Sequence, residues 1–382
     1  MAANNRIYYA TQAVLLNPMD SAGYPLFSHW YRPQGVQSVG ITTNFSLEQI
    51  FQLGQLDVYD QVEDVPDVEV TLNKIIDGTL PLYLMCVGGS AGITGGNDAD
   101  LSAIANNRVN VRLGIFNDTA SAASGASRQH VDCTGMYLSS VSYTFPVDGN
   151  ATEDVTLVGN SKVWNADIDA ANDWGVAAIA QDTSYGYGNA STADTSPATA
   201  RRYKVDPGSS DLPLGQGGLP VPLSGTRAYP YLQNITLSTD LGREQINELG
   251  AMTPYYRYVT FPVEVTSEFE IIASDGDQVD ADDFASTTGC DATYQNLVDK
   301  SIKIVVCGTG AGDTLAVDLG DKNKLSSINY TGGDTGGGNA TITYSFQTFN
   351  AFKVAVSGDY GFAWESATPD AGLGRNRNMV TR

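Results

Sequence analysis

Apolar and polar residues alternate with a period of two along most of this chain, which is the signature of strands with one buried and one exposed face. Val39, Ile41 and Thr43 form one such run, and Val68-Glu69-Val70-Thr71-Leu72 and Val263-Glu264-Val265-Thr266 form two more. Further strands are predicted over Val109–Phe116, Met136–Phe145 and Ala151–Val158, and over Ser301–Cys307, Leu325–Tyr330 and Ala340–Phe346. Helical spacing is rare. Leu47, Ile50 and Leu53 lie three apart behind Ser46, with Gln49 placed to complete a capping box and Gly54 to end the turn. That pattern predicts a short helix over 46–54, and Gly250 predicts its counterpart over 241–250.

The strand pattern recurs. Laying Val36–Gly54 over Leu232–Gly250, a shift of 196, gives seven identities in 19 positions, among them Gln37/Gln233, Thr43/Thr239, Gln49/Gln245 and Gly54/Gly250. Ordinary composition would give about one. Val68–Thr71 then falls on Val263–Thr266, Leu138–Tyr143 on Leu325–Tyr330, and Asn150-Ala151-Thr152 on Asn339-Ala340-Thr341. Order is kept throughout, so the chain reads as a duplicated domain. The expected organisation is a first unit over 1–164 with an N-terminal arm, an insertion over 165–225, and a second unit over 226–382 with a C-terminal tail. The expected fold is mainly β: two tandem β-sandwiches or partly open barrels, each with a short flanking α-helix. The insertion contains Tyr185-Gly186-Tyr187-Gly188 and a Gly/Pro-rich stretch from Leu212 to Pro222, and Trp164, Trp174 and Ile179 could pack it on a neighbour.

Composition narrows the function. The 382 residues hold 40 glycines, 21 Lys+Arg and 43 Asp+Glu, a net charge of −22. An acidic surface repels nucleic acid and anionic membranes, which argues against tight DNA or lipid binding. No apolar run reaches the ~18 residues a bilayer requires, and the first residues, Met1–Tyr9, lack the pattern of a secretory signal. Cys86, Cys133, Cys290 and Cys307 are scattered and are expected to be reduced thiols.

Candidate chemistry is thin. Gly88-Gly89-Ser90-Ala91-Gly92 matches a nucleophile elbow, but a glycine-rich loop follows where a helix is needed, and only His29 and His130 are available as base. Ile304–Asp313 resembles a dinucleotide turn without its third glycine, and Thr314–Leu319 alternates like a strand, so a hairpin is expected there and at Ile115–Ser124. Asp275, Asp277, Asp280, Asp282 and Asp283 lack calcium-loop spacing, and His130 with Cys133 lacks the second pair of a zinc site. Basic residues cluster at Arg201-Arg202-Tyr203-Lys204 and at Arg375, Arg377 and Arg382. Tyr8-Tyr9 and Tyr255-Tyr256-Arg257-Tyr258 are aromatic groups that suit stacking or interfaces. No catalytic, cofactor-binding or metal residue is assigned, no cofactor is expected, and the chain is read as not an enzyme. A carbohydrate-active enzyme would need two carboxylates facing one cleft.

Arg6-Ile7-Tyr8-Tyr9-Ala10-Thr11-Gln12-Ala13-Val14, Gly35–Gly40, Glu48–Gly54 and Val68–Thr71 with Lys74 and Gly78 together resemble the tail tube (major tail) proteins of tailed bacteriophages. The resemblance is clearest over 1–85 and reaches 226–350 through the repeat. It implies a virion structural protein in which strands from six domains join into a ring around an inner barrel, and rings stack into the conduit for DNA ejection. With two domains per chain it implies a homotrimer forming a pseudo-hexameric ring. Arm and insertion would then make ring-to-ring contacts. The implied partners are further copies, a terminator, a tape measure, a sheath or baseplate, and DNA passing an acidic lumen without specific binding. No membrane is involved. Assembly would occur in the host cytoplasm. The alternative is another β-sandwich virion component: a baseplate, decoration or receptor-binding protein.

Overall fold

In the computed structural model, residues 6–24, 30, 33–78, 80–87, 98–116, 128–166, 199–206, 231–251, 254–273, 276, 301–307, 314–333, 338–357, 364–365 and 375–376 are described. The first half runs β1 (Gln12–Met19), β2 (Val36–Asn44), β3 (Leu47–Phe51), β4 (Val58–Glu63), β5 (Asp67–Ile75), α1 (Leu82–Val87), β6 (Asp98–Asp100), α2 (Leu101–Ile104), β7 (Arg108–Ile115), β8 (Gln129–Pro146), β9 (Thr152–Gly159) and β10 (Val163–Ala166). After β11 (Val205–Asp206), the second half runs β12 (Leu232–Asp240), β13 (Arg243–Ile246), β14 (Tyr256–Val259), β15 (Glu264–Ile272), β16 (Lys303–Cys307), β17 (Thr314–Asp318), β18 (Lys324–Thr331), β19 (Thr341–Phe349) and β20 (Lys353–Ser357), with the pair β21 (Trp364–Glu365) and β22 (Arg375–Asn376) beyond. The protein is mainly β, and its sheets are antiparallel.

Eight strands form one open path in the order β2-β5-β9-β8-β12-β15-β19-β18. Four come from each half, and they pair in the same order. The repetition extends to register. In the first half Val39 faces Leu72, and in the second Ile235 faces Phe269. A bulge between Val36 and Ser38 recurs between Leu232 and Asn234, and one between Leu138 and Ser140 recurs between Leu325 and Ser327. Bulges increase local twist and bend, so the two quartets are coiled by the same devices at the same places.

A second layer repeats as well. β1-β7-β8-β10 in the first half matches β11-β16-β17-β20 in the second. β8 serves both layers as a single strand of 18 residues, whereas the second half divides the same role between β17 and β18. β5 and β15 bury alternate residues in the identical pattern from their first residue. Buried side chains of both halves make one core, with Val70, Leu157 and Phe145 joined by Leu237, Phe269 and Phe346. Phe352 of the second half lies edge-on to Tyr83 in α1, with ring centroids 5.4 Å apart. The segment 199–206 ties the halves further. Ala200 donates to Ile76 O, accepts from Ala151 N, and is followed by β11 on β16.

Two expectations are corrected. Residues 46–54 and 241–250 are not helices: β3 pairs with β4, and β13 with β14, as two-stranded hairpins. Gly54 and Gly250 do adopt left-handed backbone, at φ 88° and 91°, but within hairpin loops. The helices among the described residues are α1, α2 and a 3-10 turn at Tyr9–Thr11. The alignment of Val68–Thr71 with Val263–Thr266 is also two residues off. Val68 faces Gly159 as Val265 faces Thr348, so β5 corresponds to β15 at a shift of 197. Of the insertion, most residues, including Trp174, Ile179 and the Tyr185–Gly188 and Leu212–Pro222 stretches, lie outside the described set.

Glu153 on β9 is fully buried and fastens α1 to the sheet. Its carboxyl accepts from Leu82 N at 2.6 Å, Tyr83 N at 2.8 Å and Tyr143 Oη at 2.6 Å. Burial raises its pKa above the ordinary glutamate value, against the opposing pull of those bonds and of Lys74. The folded state therefore binds this proton more tightly than the unfolded one. Stability from this site is present below the ordinary carboxylate range and is drawn away as pH rises toward the shifted value. Glu153→Gln should remove this segment from the pH dependence of Tm. It should also cost about 1–3 kcal/mol, because its amide would confront the Leu82 N–H donor to donor. Denaturation of both proteins across pH measures each effect.

Candidate functional site

The eight-strand sheet turns one face to the shared core and the other outward. The outward positions of its central strands are short and polar: Ser140, Ser142 and Thr144 on β8 lie opposite Asp240, Ser238 and Thr236 on β12. Carboxylates flank them, at Asp67, Glu69 and Asp154 in the first half and Glu264, Glu268 and Glu270 in the second. Among the described residues of this face, the one basic side chain is Lys324, at the start of β18 and opposite Gln347. The face is broad and acidic.

The halves meet at β8 and β12, where seven residue pairs run from Asn234↔Pro146 to Asp240↔Ser140. Leu241 N→Ser139 O and Val147 N→Gln233 O, both 2.8 Å, extend the ladder. β8 is the outer strand of the first quartet and β12 the outer strand of the second. Their equivalents, β18 and β2, end the path, and among the described residues no strand pairs with their outer sides. Unpaired edges are templates for pairing with another chain unless they are covered.

The two hairpins differ in the same way. β13–β14 is docked on the first half. Arg243 Nε donates to Leu138 O at 2.7 Å, and its Nη2 donates to Ala105 O. Arg257 bonds Asp67 and Asn160, and the Tyr256 ring lies 5.5 Å from Tyr137, with Arg108 over both rings. Burial pulls the Arg243 guanidinium down to about 10, against the favourable fields of Tyr137 and Tyr256, and it raises the Tyr137 hydroxyl. In β3–β4, by contrast, every residue of both strands is exposed. Phe45, Leu47, Phe51 and Tyr59 are all more than half exposed, and Leu53 and Leu56 entirely so. A contiguous apolar projection of this kind marks an interaction surface.

The sequence candidates for chemistry do not gather. His130 and Cys133 lie three apart on β8, so alternation turns them to opposite faces. His130 sits 3.3 Å from Asp132, whose carboxylate is forked by Arg112. The Cys133 thiol is pushed up to about 11 by burial and Asp132, with Lys162 opposing, and the buried Cys86 thiol is pushed up further still. Neither supplies a thiolate near neutral pH. Cys307, the remaining described cysteine, is exposed and free. It pairs with Thr314 between β16 and β17, and Gly308–Asp313 of the glycine-rich motif lie outside the described residues. Arg201 bonds Asn150, and Arg202 reaches Asp148 at 3.7 Å, both at the surface. Arg375 lies in β22, opposite Glu365. Tyr8 and Tyr9 contact each other edge-on. His29, the Gly88–Gly92 motif, the Ile115–Ser124 connection beyond Phe116, Cys290, Arg377, Arg382 and the acidic cluster Asp275, Asp277, Asp280, Asp282 and Asp283 lie outside the described residues. Among the described residues, no group of three His, Cys, Asp or Glu is placed to hold a metal, and no helix is long and apolar enough to cross a membrane.

No family model matches the chain, and no curated protein matches it either.

The docked hairpin gives the first test of this surface. Arg243→Ala strips donors from two carbonyls at the junction of the halves and should destabilise the protein by about 1–3 kcal/mol. Protease cleavage at the 247–255 loop should accelerate, readable by mass spectrometry of timed digests.

Proposed function

We propose that this chain is the subunit of a viral tail tube, a structural protein whose copies join edge to edge into rings and stack into a conduit for DNA. The observation that carries the reading is the β8–β12 ladder. It joins the outer strands of two repeated quartets and leaves the equivalent outer strands, β18 and β2, at the ends of the path. The same contact made between chains would place β2 of one copy beside β18 of the next. That contact is heterologous, and heterologous contacts generate rings where the rotation closes. The two-domain resemblance sets the closure at three chains, giving six repeated units.

The outward face supports the conduit role. A wall of serine, threonine and carboxylate offers DNA no cluster of cations, and every phosphate gripped by Lys or Arg would add to a brake on passage. Strand pairing supplies affinity through backbone groups, so the joint does not depend on particular side chains. The role is one of assembly in the virion, with other tail components as further partners.

Electron microscopy of the purified full-length protein tests this. Rings or rods with a central channel and threefold or sixfold symmetry are expected. At side-chain resolution Ile41 should lie opposite Tyr330 and Thr42 opposite Asn329, as Leu237 and Ser238 lie opposite Tyr143 and Ser142 within the chain. A protein that stays a single molecule at all concentrations overturns the reading, and so does a channel lined by Lys and Arg.

A further inference from the structure

We infer that the β3–β4 hairpin is a clamp that docks on the second half of a neighbouring copy, at the start of its β18. This rests on the ring reading and specifies a contact that strand pairing alone does not require. The template is internal. β3–β4 and β13–β14 have the same register, Leu47↔Glu63 matching Arg243↔Val259 and Ile50↔Asp60 matching Ile246↔Tyr256. Each follows the last residue of an outer strand by the same short connection. One is docked and the other is not.

The connection shows the difference most sharply. Leu241 is 0% exposed where it leaves β12 and donates its N–H to Ser139 O. Its equivalent, Phe45, is 65% exposed. A large aromatic at that position, placed where its sibling is wholly buried, is the anchor of an unformed contact. The equivalent of Ser139 in the second half is Ser326, which identifies the surface that would cover Phe45.

Carrying the docked contacts across the repeat gives the chemistry of the partner surface. Arg243, which binds the Leu138 carbonyl, becomes Leu47 beside Leu325, an apolar side chain in place of a donor. Tyr256 against Tyr137 becomes Asp60 against Lys324, acid on base. Arg257 with Asp67 becomes Gln61 with Glu264, an amide beside a carboxylate. At two of these three contacts the side chains on both sides differ from their equivalents, and both substituted pairs, Asp60 with Lys324 and Gln61 with Glu264, are complementary. Lys324 is also the basic residue that interrupts the acidic outward face. The clamp would place Asp60 against it. A second copy of this chain is therefore the occupant that the hairpin fits.

The test uses the full-length protein with sedimentation velocity and electron microscopy. Asp60→Lys and Lys324→Asp each put like charges in contact and should raise the concentration needed for assembly about tenfold. The double variant Asp60→Lys with Lys324→Asp should return it to near the wild-type value. Phe45→Ala should raise it at least as far as either single reversal. All these sites are on the surface, so an unchanged Tm of the unassembled chain verifies folding. Carbodiimide coupling of mixed light and nitrogen-15-labelled protein should yield Asp60–Lys324 peptides joining one light and one heavy chain. If wild type assembles but the variants assemble equally well and those mixed peptides are missing, the clamp is overturned and the ring reading survives. If wild type never assembles, both fall.

Discussion

Everything in this molecule is arranged around one antiparallel joint, the ladder between β8 and β12. It makes a continuous eight-strand sheet out of two four-strand ones. Around it the halves exchange further elements: β6 adds to β20, Ala200 bridges Ile76 and Ala151, and Phe352 reaches Tyr83 and Tyr143. The joint uses backbone groups in the middle and charged and aromatic side chains at one end, where Arg243, Arg257 and Tyr256 close over it. An edge strand in water carries a row of unmatched donors and acceptors. The sequence solves that problem once within the chain and repeats the geometry at both ends.

Much of this was legible in the residues. The shift of 196 correctly related β2 to β12 and the two hairpins, because residues such as Gln37, Gly54 and Gly250 recur at fixed places. Most strands predicted from alternation lie where expected to within a few residues. However, β15 runs on to Ile272, β8 starts at Gln129, where polar Gln129, Asp132 and Thr134 obscure it, and β1, β4, β10, β14 and β20 were not predicted. The helix expected at 46–54 failed because three apolar residues are too short a run to fix the period, and neither strand of the hairpin has a buried face to impose alternation. What decides is Val58–Glu63, a partner that local spacing does not consult.

The misalignment of β5 with β15 has a different cause. A slip of two residues in a strand keeps every side chain on its proper face, so the hydrophobic pattern does not penalise it. Val-Glu-Val-Thr matched Val-Glu-Val-Thr, and only the pairing with β9 and β19 shows that Val68 corresponds to Val265. The exposed hairpin was invisible for a similar reason. Leu47, Ile50 and Leu53 read as one apolar helix face, and nothing in a single sequence says that the molecule supplies no cover for them. The buried carboxyl of Glu153 was equally hidden, since two of its three donors come from α1, 70 and 71 residues away along the chain.

The fused halves bear on kinetics. Two separate single-repeat proteins would have to find one another in solution before β8 could meet β12. Here the meeting is intramolecular, at an effective concentration set by the residues between β10 and β12 rather than by how much protein is present. A closed assembly of six repeats would then need three joints between molecules instead of six, and every chain would enter with one finished joint to serve as a pattern for the next.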